Sequence, residues 1–181
     1  MMDILTEKGQ ASLVQERLAI DRFTDLFPKY QWLETAKQQP AAVDGFFYIH
    51  EQAQGRSVMS AVVEVKCRNE TREHFRTAYD DEWLITHDKL IKGQRISQLC
   101  RVPLVGLLWL VPEQYLLVVK FTKANGDFLF DFEVHETETQ ATVNGGTAIR
   151  DNAFIPLSHA KEFPPETINP KPMDKNNDPT Q

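Results

Sequence analysis

The run Val62-Val63-Glu64-Val65-Lys66-Cys67-Arg68 decides how the chain reads. Its β-branched, apolar positions mark a strand, and a strand turns successive side chains to opposite faces. Glu64 and Lys66 therefore project from one face, while Val63, Val65 and Cys67 pack on the other. Setting a carboxylate beside an ammonium in an apolar strand costs roughly several kcal/mol per ion unless they are paired or hold a ligand. An internal salt bridge across one strand position is the structural reading. A ligand site is the functional one.

Upstream, residues 43–50 are apolar and aromatic, residues 51–56 form a polar turn containing Gly55, and residues 57–67 make a second apolar run. This is a hairpin. With its turn centred between Ala53 and Gln54, Asp44 falls opposite Val63 or Glu64. A second carboxylate thus arrives at the same end of the same hairpin. Two carboxylates converging beside a lysine suit a hard divalent cation such as Mg²⁺, which prefers oxygen ligands and keeps several waters. Repulsion between them predicts that Asp44→Asn stabilises the metal-free protein.

Before the hairpin, residues 12–27 read as a helix ended by Pro28. Leu13, Ala19, Ile20, Phe23, Leu26 and Phe27 share one side of its wheel, and Arg17, Asp21, Arg22 and Asp25 the other. Glu16 lies within the apolar stripe, the wrong place for a solvated carboxylate. After the hairpin come a charged segment (68–81), a short apolar piece (83–85) and a helix over 87–101, with Thr86 as N-cap and Pro103 as stop. Strands are expected at 104–111, 115–122 and 128–135, and extended chain over 139–156. The prediction is an α/β or α+β fold, a sheet carrying helices. Residues 1–163 form one domain, and the Pro-rich stretch 164–181 a disordered tail.

Composition narrows the class. A chain of 181 residues, 41% hydrophobic and 25% charged, suits one soluble domain. No run approaches a membrane span, and residues 1–10 lack the apolar core of a secretion signal. Cys67 and Cys100 have no CxxC spacing, so a zinc or iron–sulfur site is not expected, and a reduced, cytoplasmic setting is. The net charge of −6 argues against strong non-specific binding to nucleic acid.

An acidic residue at the start of one strand, followed across a hairpin by an acidic-x-Lys triplet, resembles the PD-(D/E)XK nuclease superfamily. The matching residues are Val43-Asp44 and Glu64-Val65-Lys66, and this triplet is the only acidic-x-Lys in the chain. Val43 stands where the motif has proline, at a position that is not a ligand. The helix–hairpin–helix–strand order over residues 12–111 agrees, and Glu16 resembles a glutamate that family members often carry on the preceding helix. The resemblance implies an α/β fold with a restriction endonuclease-like core, a mixed β-sheet flanked by helices, and Mg²⁺-dependent hydrolysis of DNA phosphodiesters, endo or exo, with Mn²⁺ substituting for Mg²⁺. Asp44, Glu64, Glu16 and the main-chain carbonyl of Val65 would then ligate the metal, and Lys66 would act as the catalytic lysine. Resolvase-like members work as dimers on branched DNA, so a homodimer or higher oligomer is a further expectation. A membrane partner is not.

Lys89 sits in the first turn of a helix, where the macrodipole disfavours a cation, and is a candidate to bind a substrate phosphate; snorkelling is the structural reading. Gly93 in mid-helix implies close packing on the sheet. Arg68, Arg72, Arg76 and His74 are candidate phosphate contacts, weighed against a mixed solvated segment that Glu70, Glu73, Asp80 and Asp81 favour. Gln94, Gln98, His87, Asp88 and His135 read as surface, and Trp32, Trp83 and Trp109 as core or sheet. The alternative function is a catalytically inactive protein of the same fold that binds or assembles. In a third reading, Asp44, Glu64 and Lys66 form only a salt-bridge cluster.

Overall fold

The central strand of the fold is β3 (Arg56–Arg68), which carries the Glu64-Val65-Lys66 triplet. The computed structural model describes residues 6–37, 41–140 and 147–165. Antiparallel β2 (Gly45–Glu51) lies on one side of β3, and β1 (Tyr30–Glu34), absent from the sequence reading, pairs with β2. On the other side β5 (Leu104–Leu110) runs parallel to β3, followed by antiparallel β6 (Tyr115–Lys120) and β9 (Ala160–Phe163). The sheet is mixed, in the order β1-β2-β3-β5-β6-β9.

Parallel neighbours require a crossover. Here it consists of α2 (Arg72–Ala78), β4 (Glu82–Thr86) and α3 (His87–Cys100). β4 pairs with β8 (Thr147–Pro156), and β8 with β7 (Glu133–Gln140), in a second, three-stranded antiparallel sheet. This sheet and α3 cover one face of the large sheet through a core that includes Val62, Trp83, Leu90, Leu104 and Ile155. The long helix α1 (Glu7–Leu26) covers the other, where Ala19, Ile20 and Phe23 meet Phe47, Val63, Val65 and Leu107. Burying apolar side chains on both faces is the main driving force for this arrangement. No helix among the described residues is long and apolar enough to cross a membrane.

Several expectations are corrected. α1 begins five residues earlier than residue 12, because the Thr6 side chain accepts a hydrogen bond from Gly9 N–H (3.1 Å) and caps the helix. The charged segment 68–81 holds α2, capped by Thr71 and anchored by buried Phe75. The strand expected over 128–135 is replaced by a single bridge, Thr122 to Phe128, and β7 begins only at Glu133. Phe128, Phe130 and Phe132 do alternate into the core, but their backbone has no partner strand, so the alternation reports packing and not a ladder. Of the stretch 164–181, residues from 166 onward lie outside the described residues.

Candidate active site

The hairpin brings Asp44 and Glu64 together through a register that changes along its length. Near the turn Glu51 pairs with Arg56 and Tyr48 with Met59, and a bulge between Phe47 and Tyr48 then moves the pairing by one residue, so Gly45 faces Val63. Asp44 N–H donates to Val63 O (3.0 Å), which puts its side chain level with the Glu64–Val65 peptide. Val65 N–H donates to Asp44 Oδ2 (2.8 Å), fixing the carboxylate. Gly45 allows β1 to approach: a Cβ there would lie 2.5 Å from Leu33 O and from the Trp32 ring.

As the alternation predicted, Val63 and Val65 are buried against α1, while Glu64 and Lys66 share the opposite face. Glu64 is only 3% exposed. Lys66 Nζ lies 3.1 Å from Glu64 Oε1, and Lys89 Nζ reaches the same carboxylate at 3.0 and 3.1 Å. Lys89 is also 3.6 Å from Asp44 Oδ1. Gly93 makes this possible, because α3 packs so closely that a Cβ there would sit 3.0 Å from the Leu104 side chain. The helix start is thereby held against β3.

Glu16 points into the same cleft, and its partner was not legible in the sequence. Lys37 Nζ lies 2.8 Å from Glu16 Oε2 and 3.6 Å from Asp44 Oδ1. The segment bearing Lys37 is stitched down by Thr35, whose hydroxyl donates to Val43 O (2.8 Å) and Asp44 O (3.0 Å). Glu16 and Asp44 therefore alternate with Lys37, Lys66 and Lys89 along one wall of a cleft of about 930 Å³, and buried Glu64 lies beneath the last two lysines. Arg68, His87, Arg150 and Asp151 also line it. His87 is half-buried there and not a plain surface residue. Arg150 and Asp151 come from β8, some 80 residues beyond the triplet in sequence, and only the tertiary fold brings them in.

The charges set unequal titration. Burial pushes the Glu64 carboxyl above its ordinary range, with Asp44 adding to the rise while Lys66 and Lys89 oppose it. Burial would also raise Asp44, but the ammonium groups of Lys89, Lys66 and Lys37, with Val65 N–H, outweigh it and hold that carboxyl low. The sequence-based expectation that carboxylate repulsion governs Asp44 is thus overturned. Lys89 and Lys37 are partly desolvated, yet the carboxylates beside them keep both above the usual lysine range. Burial and the Glu16 charge lift the Cys67 thiol to about 12, which removes it as a nucleophile.

Arg72 does not reach the cleft and is not solvated. It is 5% exposed, with its guanidinium on Asp81 and Glu162, and Arg76 shares Glu162 (3.5 Å). Those two arginines tie α2 to β9. Arg68 is half-buried, its guanidinium 3.4 Å from Cys67 O and Leu84 O. Gln94 braces the turn at Gly126 O (3.1 Å), and Trp83 and Trp109 are core residues.

Among the described residues, no group of three or more His, Cys, Asp or Glu side chains is placed to hold a metal ion. Asp44 and Glu64 nevertheless fit a hard cation as a pair. Lys89 Nζ shows that both carboxylates face one position where a positive charge is already favourable. Comparison with protein-family models, curated proteins and solved structures yields no match, so the chemistry of this cleft rests on its own geometry.

Proposed function

We propose that the protein is a divalent-metal-dependent nuclease that hydrolyses phosphodiester bonds in DNA, built on a restriction endonuclease-like core. The convergence of Asp44, Glu64 and Lys66 where β2 and β3 part carries this reading. The order of α1, three antiparallel strands, a helical crossover and a parallel strand supports the fold assignment. Asp44 and Glu64 would hold Mg²⁺ or Mn²⁺, with the Val65 carbonyl and Glu16 as further candidates. Such an ion, when bound, supplies an acidified water and neutralises charge on the phosphate.

The rest of the work falls to the chain. Lys66 Nζ, 29% exposed at the side chain and held by Glu64, would donate to the attacking water or to the phosphate oxygen on which charge develops. Lys89, once released from the carboxylates, would meet a second phosphate oxygen. Lys37 would keep Glu16 and Asp44 oriented, and Arg68 would contribute positive potential at the cleft wall. The test is a panel of linear, single-stranded and branched DNA incubated with each metal, using wild type and Lys66→Ala. Cleavage that needs metal and is lost in a folded Lys66→Ala supports the proposal. Survival of every substrate at high protein concentration ends it.

A catalytically inactive binding or assembly protein is the second reading. Two observations favour it: the net charge of −6, and the ion pairs that Glu64 makes with both Lys66 and Lys89.

A further inference from the structure

A second cleft, of about 400 Å³, lies on the α1 side of the large sheet, at the end away from the triplet. Its origin is in the register. α1 ends at Leu26, after covering the sheet around Val63, Leu107 and Leu116. Beyond the end of the helix two neighbouring rows of the sheet line the cleft: Val105 pairs with Lys120 in one and Val118 with Lys161 in the other, and paired residues share a face. Ala61 and Ser60 of β3 extend the floor, roughly 17 Å along the strand from Lys66.

One wall is aromatic. Phe23 stacks on Phe47 (4.3 Å between ring centroids, planes 15° apart), Phe27 meets Phe163 edge-on (5.5 Å), and Tyr30 closes the group at 5.6 Å from Phe23. Phe27, Tyr30 and Phe163 are each half-buried and present ring surface to the cleft. The rim is basic: Lys29, Lys120 and Lys161 are exposed, with His159 beside them, its ring stacked on Phe130. None of the three lysines pairs with a carboxylate among the described residues, Lys29 lies 5.0 Å over the Tyr30 ring, and no lining residue is acidic. In a chain of net charge −6, three lysines without carboxylate partners around aromatic rings are a selective feature.

We infer that this cleft binds single-stranded nucleic acid, with a base against the Phe27–Tyr30–Phe163 wall and consecutive phosphates along Lys120, Lys161 and Lys29. The aromatic wall matches a planar base, and three lysines match more than one phosphate, which favours a polynucleotide over a mononucleotide. The nuclease reading does not carry this inference, since the cleft and its charges stand apart from the carboxylates.

Binding is measured on the full chain in EDTA, by fluorescence anisotropy of a labelled oligothymidylate of about 12 nucleotides over a range of salt. Lys120→Gln/Lys161→Gln, two exposed positions, is expected to weaken binding about tenfold and to flatten the log–log salt slope by about 1.4, two single-strand phosphate contacts. Phe163→Leu, which keeps the apolar contact and removes the ring, is expected to lose about fivefold with its melting temperature checked alongside. Unchanged affinity and slope in the lysine pair would overturn the inference. So would thymidine monophosphate competing as strongly as the oligomer, because the ligand would then be a mononucleotide. Lysine-dependent binding by a protein that cleaves nothing defeats only the nuclease reading, and cleavage without such binding defeats only this one.

Discussion

Lys89 Nζ stands 3.0 and 3.1 Å from the two carboxylate oxygens of Glu64, so the first turn of α3 is fastened to β3 through a carboxylate that is 3% exposed. The same ammonium is 3.6 Å from Asp44 Oδ1 and occupies the place where the two carboxylates would share a cation.

Lys89→Met leaves Glu64 with Lys66 as its one remaining ammonium partner. The metal-free variant is expected to lose about 1–2 kcal/mol at neutral pH, below the value for breaking a fully buried pair because Lys89 is itself partly exposed. Mg²⁺ should then raise its melting temperature more than it raises that of wild type, since ligand binding to the folded state adds RT ln(1 + [L]/Kd) and the competing ammonium is gone. Equal shifts in the two proteins would place any cation site elsewhere.

Asp44 should make stability depend on pH in a defined direction. Its folded carboxyl lies below the unfolded value of 3.8, so its contribution is complete above that value and disappears as pH falls through the lower folded pKa. Glu64 runs the other way: its raised carboxyl favours the folded state below 4.5, and that contribution is lost as pH rises through the folded pKa. Asp44→Asn is therefore expected to destabilise by about 1–2 kcal/mol at pH 7, through loss of the attraction to the Lys89, Lys66 and Lys37 ammonium groups and weakening of the bond from Val65 N–H. Urea unfolding across a pH series reads it. The gap between the two proteins should close below pH 3.8, and a variant more stable than wild type at pH 7 would restore carboxylate repulsion as the governing effect.

Glu16 and Lys37 should behave as a coupled pair. Their side chains are 21% and 17% exposed and 2.8 Å apart. A double-mutant cycle with Glu16→Gln and Lys37→Met is expected to give a coupling energy of about 0.5–1 kcal/mol. In the nuclease assay, Glu16→Gln should reduce cleavage at least about tenfold, a loss of roughly 1.4 kcal/mol of transition-state stabilisation. Additive stabilities would dissolve the pair, and full activity would remove Glu16 from the site.

Features that depend on local backbone geometry were legible in the chain before any folding was known. Alternation along residues 62–68 puts Glu64 and Lys66 on one face, and the turn position brings Asp44 opposite Val63 or Glu64, because both follow from the period of a strand and the place of one turn; the bulge between Phe47 and Tyr48, not readable from the chain, decides for Glu64. The wheel of α1 turned Glu16 inward for the same kind of reason. Tertiary structure alone decided what those carboxylates meet. Lys37 reaches Glu16 and Asp44 because β1 and Thr35 hold its loop, and β1 was invisible as a short edge strand lacking an inward apolar run. Lys89 reaches Glu64 because Gly93 lets α3 lie close to Leu104. The failed strand at 128–135 shows the converse: alternating phenylalanines record which way side chains face, and only a neighbouring backbone makes a ladder. The aromatic and basic cleft arises where α1 stops and two neighbouring rows of the sheet carry lysines from two different strands. Pairings between residues distant in the chain depend on how whole elements pack, and that information is spread over the entire core.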